Sequence, residues 1–329
     1  MTSFDAYKEQ LAGLPAKKFI GAIVWFTINE AMITRDEIVK LFVDNGLDER
    51  FVPNPIKAVD AFRRATSRAE VEYDYPGNKR TATLYIDEVD YDDERVVQHI
   101  FRKVRDRQAL VLDHTQVGEA IFYRQSRTAR RQGVGGESVK FSMKRAQLSE
   151  DEQEIAAKFI DDVHRSYERG KQFITGQALR GMVRNYVVST NAISVRPSGG
   201  VYFVHKSRIE TIDALSRVVE QLGNGSVIHT LPLIDTDQQR GMLTEAFQDE
   251  VVDECEKLLK ELAEVNEKHS KKGGKVPAKK YAALRQQLGE TMGRADEYTR
   301  VLGLNQERSA ASIELAMNAL LEMAGRIEH

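Results

Sequence analysis

Asp161, Asp162 and His164 set two carboxylates and an imidazole within one turn of a predicted helix, a donor set able to hold a divalent cation. The same helix carries Glu154, Glu168 and several cations, so a solvated charged face is the better account of these residues. A second acidic run, Asp87, Glu88, Asp90, Asp92, Asp93 and Glu94, could supply the carboxylates of a metal-dependent nuclease. No lysine follows it at the spacing typical of restriction-like nucleases. His-Glu-x-x-His, Cys-x-x-Cys, Gly-x-Ser-x-Gly and the kinase motif set are all missing. The single cysteine, Cys255, has no neighbouring His or basic residue to lower its pKa and forms no intramolecular disulfide. The reading is therefore non-enzymatic, with no catalytic residue, no metal site and no cofactor.

Binding chemistry is better represented. Between positions 124 and 145 stand Arg124, Arg127, Arg130, Arg131, Lys140, Lys144 and Arg145 against one acid, Glu137. Glycines at 133, 135 and 136 would let such a loop approach a phosphate backbone closely while the cations displace counterions. Those glycines lack the Gly-Lys-Ser/Thr ending of a nucleotide-binding loop. Arg63, Arg64 and Arg68 end a predicted helix, and Lys79 and Arg80 sit at a predicted hairpin tip, places suited to phosphate contacts. A second basic surface is suggested by Arg196, His205, Lys206 and Arg208 near the ends of a later hairpin. Surface solvation is the better account of that group.

The elements that would carry these residues follow from period and punctuation. Three helical patterns succeed one another at Lys18 to Ala31, Thr34 to Gly46 and Asn54 to Ser67, the second opened by the capping-box pair Thr34 and Glu37. Alternation then gives strands at Glu70 to Tyr75 and Arg80 to Ile86, with Pro76, Gly77 and Asn78 as their turn. Three helices and a hairpin are the order of a winged helix-turn-helix. A helix is expected over 94–107, and strands at Ala109 to Asp113 and Gly118 to Arg124. Ser149 and Glu152 cap a long helix, followed by a helix from Thr175 to Thr190, a hairpin over Ile193 to Val204, a helix to Leu222 and a strand to Leu233.

The last third repeats apolar residues at Leu243, Phe247, Val251, Cys255, Leu258 and Leu262, then at Tyr281, Leu284, Leu288 and Met292, then at Ile313, Met317 and Leu320. Lys271 to Pro277 breaks the stripe, which favours folded-back helices over one long rod. The fold expected is thus α+β and predominantly helical. It comprises a winged-helix-like module over 1–95, mixed strands with the basic glycine-containing loop over 96–148, a small α+β domain over 149–234, and a C-terminal antiparallel helical hairpin or bundle over 235–329.

Composition sets the remaining bounds. A charged fraction of 30% and a net charge of −2 on 329 residues describe a water-soluble chain with no global attraction for polyanions. The longest apolar run, Phe19 to Ile28, is half of what a membrane helix needs. The opening MTSFDAYKEQ does not read as a secretory signal, so a cytoplasmic protein with no membrane partner is expected.

Over Leu14 to Gly21, Phe62 to Ser67 and the tyrosine-rich hairpin that follows, the N-terminal half resembles an uncharacterised family found in phages and mobile elements. The resemblance implies a prokaryotic or phage setting and transfers no functional residue. The leading expectation is a nucleic-acid-binding or scaffolding protein, favouring DNA over RNA, that touches phosphates through its basic loop. Its C-terminal helices would self-associate or take a protein partner. The alternatives are a protein-interaction factor, such as a phage inhibitor or defence-system adaptor, and a metal-dependent nuclease.

Overall fold

The computed structural model describes residues 19–75, 80–106, 108–125, 136–196, 199–270, 275–303 and 307–325. In chain order the elements begin with β1 (Phe19–Thr27), α1 (Arg35–Asp44), α2 (Ala58–Thr66) and the strands β2 (Glu70–Tyr75), β3 (Arg80–Tyr91), β4 (Arg95–Arg105), β5 (Val111–Tyr123) and β6 (Ser138–Met143). They continue with α3 (Glu150–Gln172), α4 (Gly176–Ser189), β7 (Ile193–Ser194), β8 (Val201–His205), α5 (Ile209–Gln221) and β9 (Val227–Ile234). Three long helices finish the chain: α6 (Asp237–Ser270), α7 (Ala278–Leu302) and α8 (Glu307–Ala324). Among the described residues no helix is long and apolar enough to cross a membrane.

Contacts divide the chain into two units interleaved in sequence. One takes the chain up to Glu30, Val39–Phe51 and everything from Gly176 onward; the other takes Ala31–Ile38 and Val52–Thr175. In the first unit an antiparallel sheet of order β7-β8-β1-β9 has β1 at its centre, with Val24 opposite both Tyr202 and Thr230. Ile20, Ile193, Phe203 and Leu233 on this sheet join one apolar core with Leu243, Phe247, Val251, Cys255, Leu258 and Leu262 of α6. Leu284, Leu288 and Tyr298 of α7 and Leu320 of α8 complete it. Gly21 is required where β1 meets β8, because a Cβ there would lie 2.1 Å from the Val204 carbonyl oxygen.

Helices α6 and α7 run antiparallel, as their polar pairs record. Lys280 meets Glu261, Thr291 Oγ1 donates to Glu254 at 3.0 Å, and Arg294 bridges Glu250 at 3.2 Å and Glu254 at 2.5 Å. Arg294 has only 10% of its side chain exposed, and removing it would strand two carboxylates. The Cys255 thiol, buried in this core, is pushed up by burial and then by Glu254.

The second unit is an antiparallel meander, β2-β3-β4-β5-β6, with bulges near Glu88, Ile100 and Val104 that curve it into a half-barrel. Its inner face carries Leu84, Ile86, Val96, Ile100, Ala120 and Phe122, which pack with Phe62 of α2 and Phe159, Val163 and Tyr167 of α3. A buried polar network ties that face to the start of α3. Arg102 reaches Glu152 at 3.2 Å, Asp113 at 2.9 Å and the Gln147 carbonyl at 3.0 Å, and its guanidinium carbon lies 5.5 Å from the centre of the Tyr75 ring. Glu152 also accepts from the Tyr73 hydroxyl at 2.8 Å and, closing the capping box, from the Ser149 N–H at 3.0 Å.

The predominantly helical, winged-helix reading is therefore corrected. Strands make up 26% of the chain beside 54% helix, in two antiparallel sheets. The stretch expected as a first helix is β1, and the stretch expected as helix over 94–107 is β4. Both are rich in β-branched and aromatic residues whose pattern a central strand satisfies. The three-helix set that a winged helix needs consequently does not form.

Candidate nucleic-acid interface

Alternation along β3 and β4 buries one face of the second unit's sheet under α2 and α3, and the other face lies on the side away from those two helices. On that outer face Tyr85, Phe101 and His114 come from three adjacent strands. Tyr85 stands opposite Phe101, whose β5 partner is Gln116, and Lys103 stands opposite both Thr83 and His114. The Phe101 ring lies 5.6 Å from that of Tyr85 and 4.9 Å from that of His114, with planes inclined by 28° and 25°. Across them the Tyr85 hydroxyl and His114 Nε2 are hydrogen-bonded at 2.7 Å, their ring planes inclined by 3°. Desolvation and then Asp87 push the Tyr85 phenol up, against Arg105.

Three near-parallel rings on an open sheet are a surface on which unpaired bases stack, at about 1–3 kcal/mol per base. Bases in a duplex have no free faces to offer it. Around the rings Lys103 and Arg105 line a shallow cleft with Glu70, Glu72 and Thr83, and neither cation forms an ion pair among the described residues. The acids of β2 repel phosphate on that side. On the opposite side Lys140 is exposed on β6 beside Ile121, and Lys144 Nζ donates at 3.0 Å to Gln116, the neighbour of Phe101. Lys140 on β6 and Lys144 just after it are thus the cations on that side of the rings.

The other residues expected to touch phosphate are distributed differently. Arg63 makes a two-pronged pair with Glu88 at 2.8 and 3.0 Å and lies 5.5 Å from the Tyr91 ring centre, which occupies its donors. Arg64 and Arg68 line an open groove of about 720 Å³ beside α3, with Lys158 and Asp162. Arg145 lines another of about 440 Å³ with Asp161 and His164. Arg80 begins β3, exposed, and the Arg124 N–H donates to the Glu94 carbonyl at 2.7 Å. Lys79, Arg127, Arg130 and Arg131 lie outside the described residues. Of the twelve, Lys140 and Lys144 are brought beside the aromatic face.

The acidic candidates are engaged locally. Arg165 pairs with both Asp161 and Asp162, while the His164 ring packs edge-on against Phe141. Asp92 accepts the N–H groups of Glu94 and Arg95, each at 2.7 Å, closing the β3–β4 turn. Among the described residues no three His, Cys, Asp or Glu side chains converge as metal ligands.

Sequence reasoning missed Phe101, Lys103, Arg105 and His114 as one group. The available signal was the period of two along β4, where His99, Phe101, Lys103 and Arg105 alternate with Gln98, Ile100, Arg102 and Val104. Neither the curated proteins nor the solved structures contain a match to this chain. A family model does match it, from residue 19 to residue 329, and the chain belongs to that family, the family of unknown function DUF6744.

Proposed function

We propose that this protein binds single-stranded nucleic acid, DNA in the first place, on the outer face of the β2–β6 sheet and performs no chemistry on it. The observation that carries the reading is the group of three near-parallel rings, Tyr85, Phe101 and His114, on the sheet face turned away from α2 and α3. Lys140 and Lys144 take phosphates on one side, and the acidic β2 edge sets the direction in which the strand leaves. The setting we assign is the cytoplasm of a prokaryote or of a phage-infected cell. Assembly through the C-terminal helices is supported by Met317 and Leu321, exposed one turn apart on α8.

Fluorescence anisotropy with a labelled oligothymidine and the matching duplex tests the reading. The single strand should bind more tightly, with log affinity falling linearly in log salt. Replacing Lys140 and Lys144 by Ala should shallow that slope by about 0.7 for each phosphate no longer neutralised. Equal affinity for duplex and single strand would reject stacking as the mode of binding.

A second reading, a protein-interaction factor, is favoured by Leu110, Val111 and Leu112 at the β4–β5 turn, which are 59%, 50% and 49% exposed. Capture of a partner that survives removal of Phe101 but is lost in Leu110→Ser with Leu112→Ser would support it.

A further inference from the structure

The first unit holds a cleft of about 590 Å³ between α4 and the β7–β8 hairpin, within the size range of small-molecule sites. Arg180 and Arg184 enter it from successive turns of α4, and Arg196 enters it from the hairpin. Arg180 is aimed by a hydrogen bond at 2.8 Å from its terminal nitrogen to the Ile28 carbonyl. No Asp or Glu lines the cleft, and none of the three guanidinium groups forms an ion pair among the described residues. Elsewhere in the chain Arg165, Arg240 and Arg294 each meet a carboxylate. Three arginines gathered without one repel each other, and Arg180 spends only one of its terminal nitrogens on the Ile28 carbonyl. That charge and geometry match an oxyanion carrying several acceptor oxygens.

The floor of the cleft adds a second kind of contact. Phe26 and Tyr202 present parallel rings there, 2° apart in inclination with centres 6.3 Å apart. An inorganic ion needs no such surface, whereas a nucleotide carries a flat base or a sugar beside its phosphate. We infer that the cleft is a phosphate site for a nucleotide-sized ligand, with the phosphate on Arg180, Arg184 and Arg196 and the remainder against Phe26 and Tyr202. The ligand is a free nucleotide or the phosphorylated end of a strand. The site lies on a different sheet from the stacking face and does not rest on the function proposed for that face.

Isothermal titration of the full chain with AMP, inorganic phosphate and adenosine at low salt tests this inference. AMP should bind saturably and more tightly than phosphate, with adenosine weakest. In the double variant Arg184→Ala with Arg196→Ala, both sites being exposed, AMP affinity should fall at least about tenfold. Circular dichroism checks that this variant is folded. Displacement of AMP by a 5′-phosphorylated dinucleotide, but not by its unphosphorylated form, would assign the site to a strand end; failure of both to displace AMP would assign it to a free nucleotide. Absence of saturable AMP binding up to millimolar concentration, or AMP binding unchanged in the double variant, would overturn the site.

Discussion

Replacing Arg102 by Met removes the cation at the centre of the second unit while keeping most of the side chain's apolar length. In the native chain Arg102 is 11% exposed and meets Glu152, 5% exposed, and Asp113, 41% exposed. Removing one partner of a buried ion pair costs about 3–5 kcal/mol, because the other charge stays buried without compensation. Asp113 can turn to water and keeps Thr115, whose hydroxyl donates to it at 2.7 Å, so it adds little. Glu152 cannot, although it retains Tyr73 and the Ser149 N–H. The expected loss is therefore near the lower end, about 3 kcal/mol, which at a slope of about 2 kcal/mol/M moves the urea midpoint down by about 1.5 M. The single tryptophan, Trp25, belongs to the first unit, so its fluorescence is the wrong probe. Hydrogen exchange at the amides of β3, β4 and β5 reports the right one. The double variant Arg102→Met with Glu152→Gln should recover part of the loss by removing the stranded charge. A loss under about 1 kcal/mol, or a double variant no more stable than the single one, would show that the network does not hold sheet to helix as argued.

Acid should weaken the same network. Burial pushes the Glu152 carboxyl up, but the Ser149 N–H, the Tyr73 hydroxyl and Arg102 outweigh it and hold the group below the usual carboxylate range. A lowered folded pKa contributes stability that is present above the unfolded value of about 4.3 and is lost as pH falls through the folded one. Exchange protection of the second unit should thus decline below about pH 4, and Glu152→Gln should flatten that decline; an unchanged acid limb would assign it to other carboxylates. In the first unit, Gly21→Ala forces a Cβ to within 2.1 Å of the Val204 carbonyl and 2.7 Å of the Phe203 ring, so β1 and β8 must separate. Thermal melting followed by Trp25 should show a loss of about 2 kcal/mol or more, and a melting point within about 2 °C of the native one would contradict the close packing.

Local signals in the sequence were legible where local interactions decide the structure. The capping pairs Thr34–Glu37 and Ser149–Glu152 form, each with reciprocal bonds, because both partners lie within one turn. Leu243, Phe247, Val251, Cys255, Leu258 and Leu262 form the buried stripe of α6, since their spacing alone puts them on one face. β1 and β4 were not legible in the same way. Val96, Ile100 and Val104 recur every fourth residue, a spacing that fits a helical stripe and every second position of a strand alike. Phe19 to Ile28 is apolar almost throughout, even at Trp25, which is exposed on β1, and such a run has no period to read. The candidate site was hidden for a further reason. Tyr85, Phe101 and His114 become neighbours only through the register of three strands, and that register is set by pairing across the sheet.

Photo-crosslinking with an oligonucleotide carrying 5-iodouridine, followed by mass spectrometry of the linked peptides, tests the stacking surface most directly. Excitation joins the base to a ring in contact with it. Links to Tyr85, Phe101 or His114 are expected, and their yield should drop in Phe101→Ala, whose affinity should fall by about 1–3 kcal/mol. Links confined to the grooves beside α3 or to α6, α7 and α8, or no complex at low salt, would contradict the assignment of the open sheet face as the binding surface.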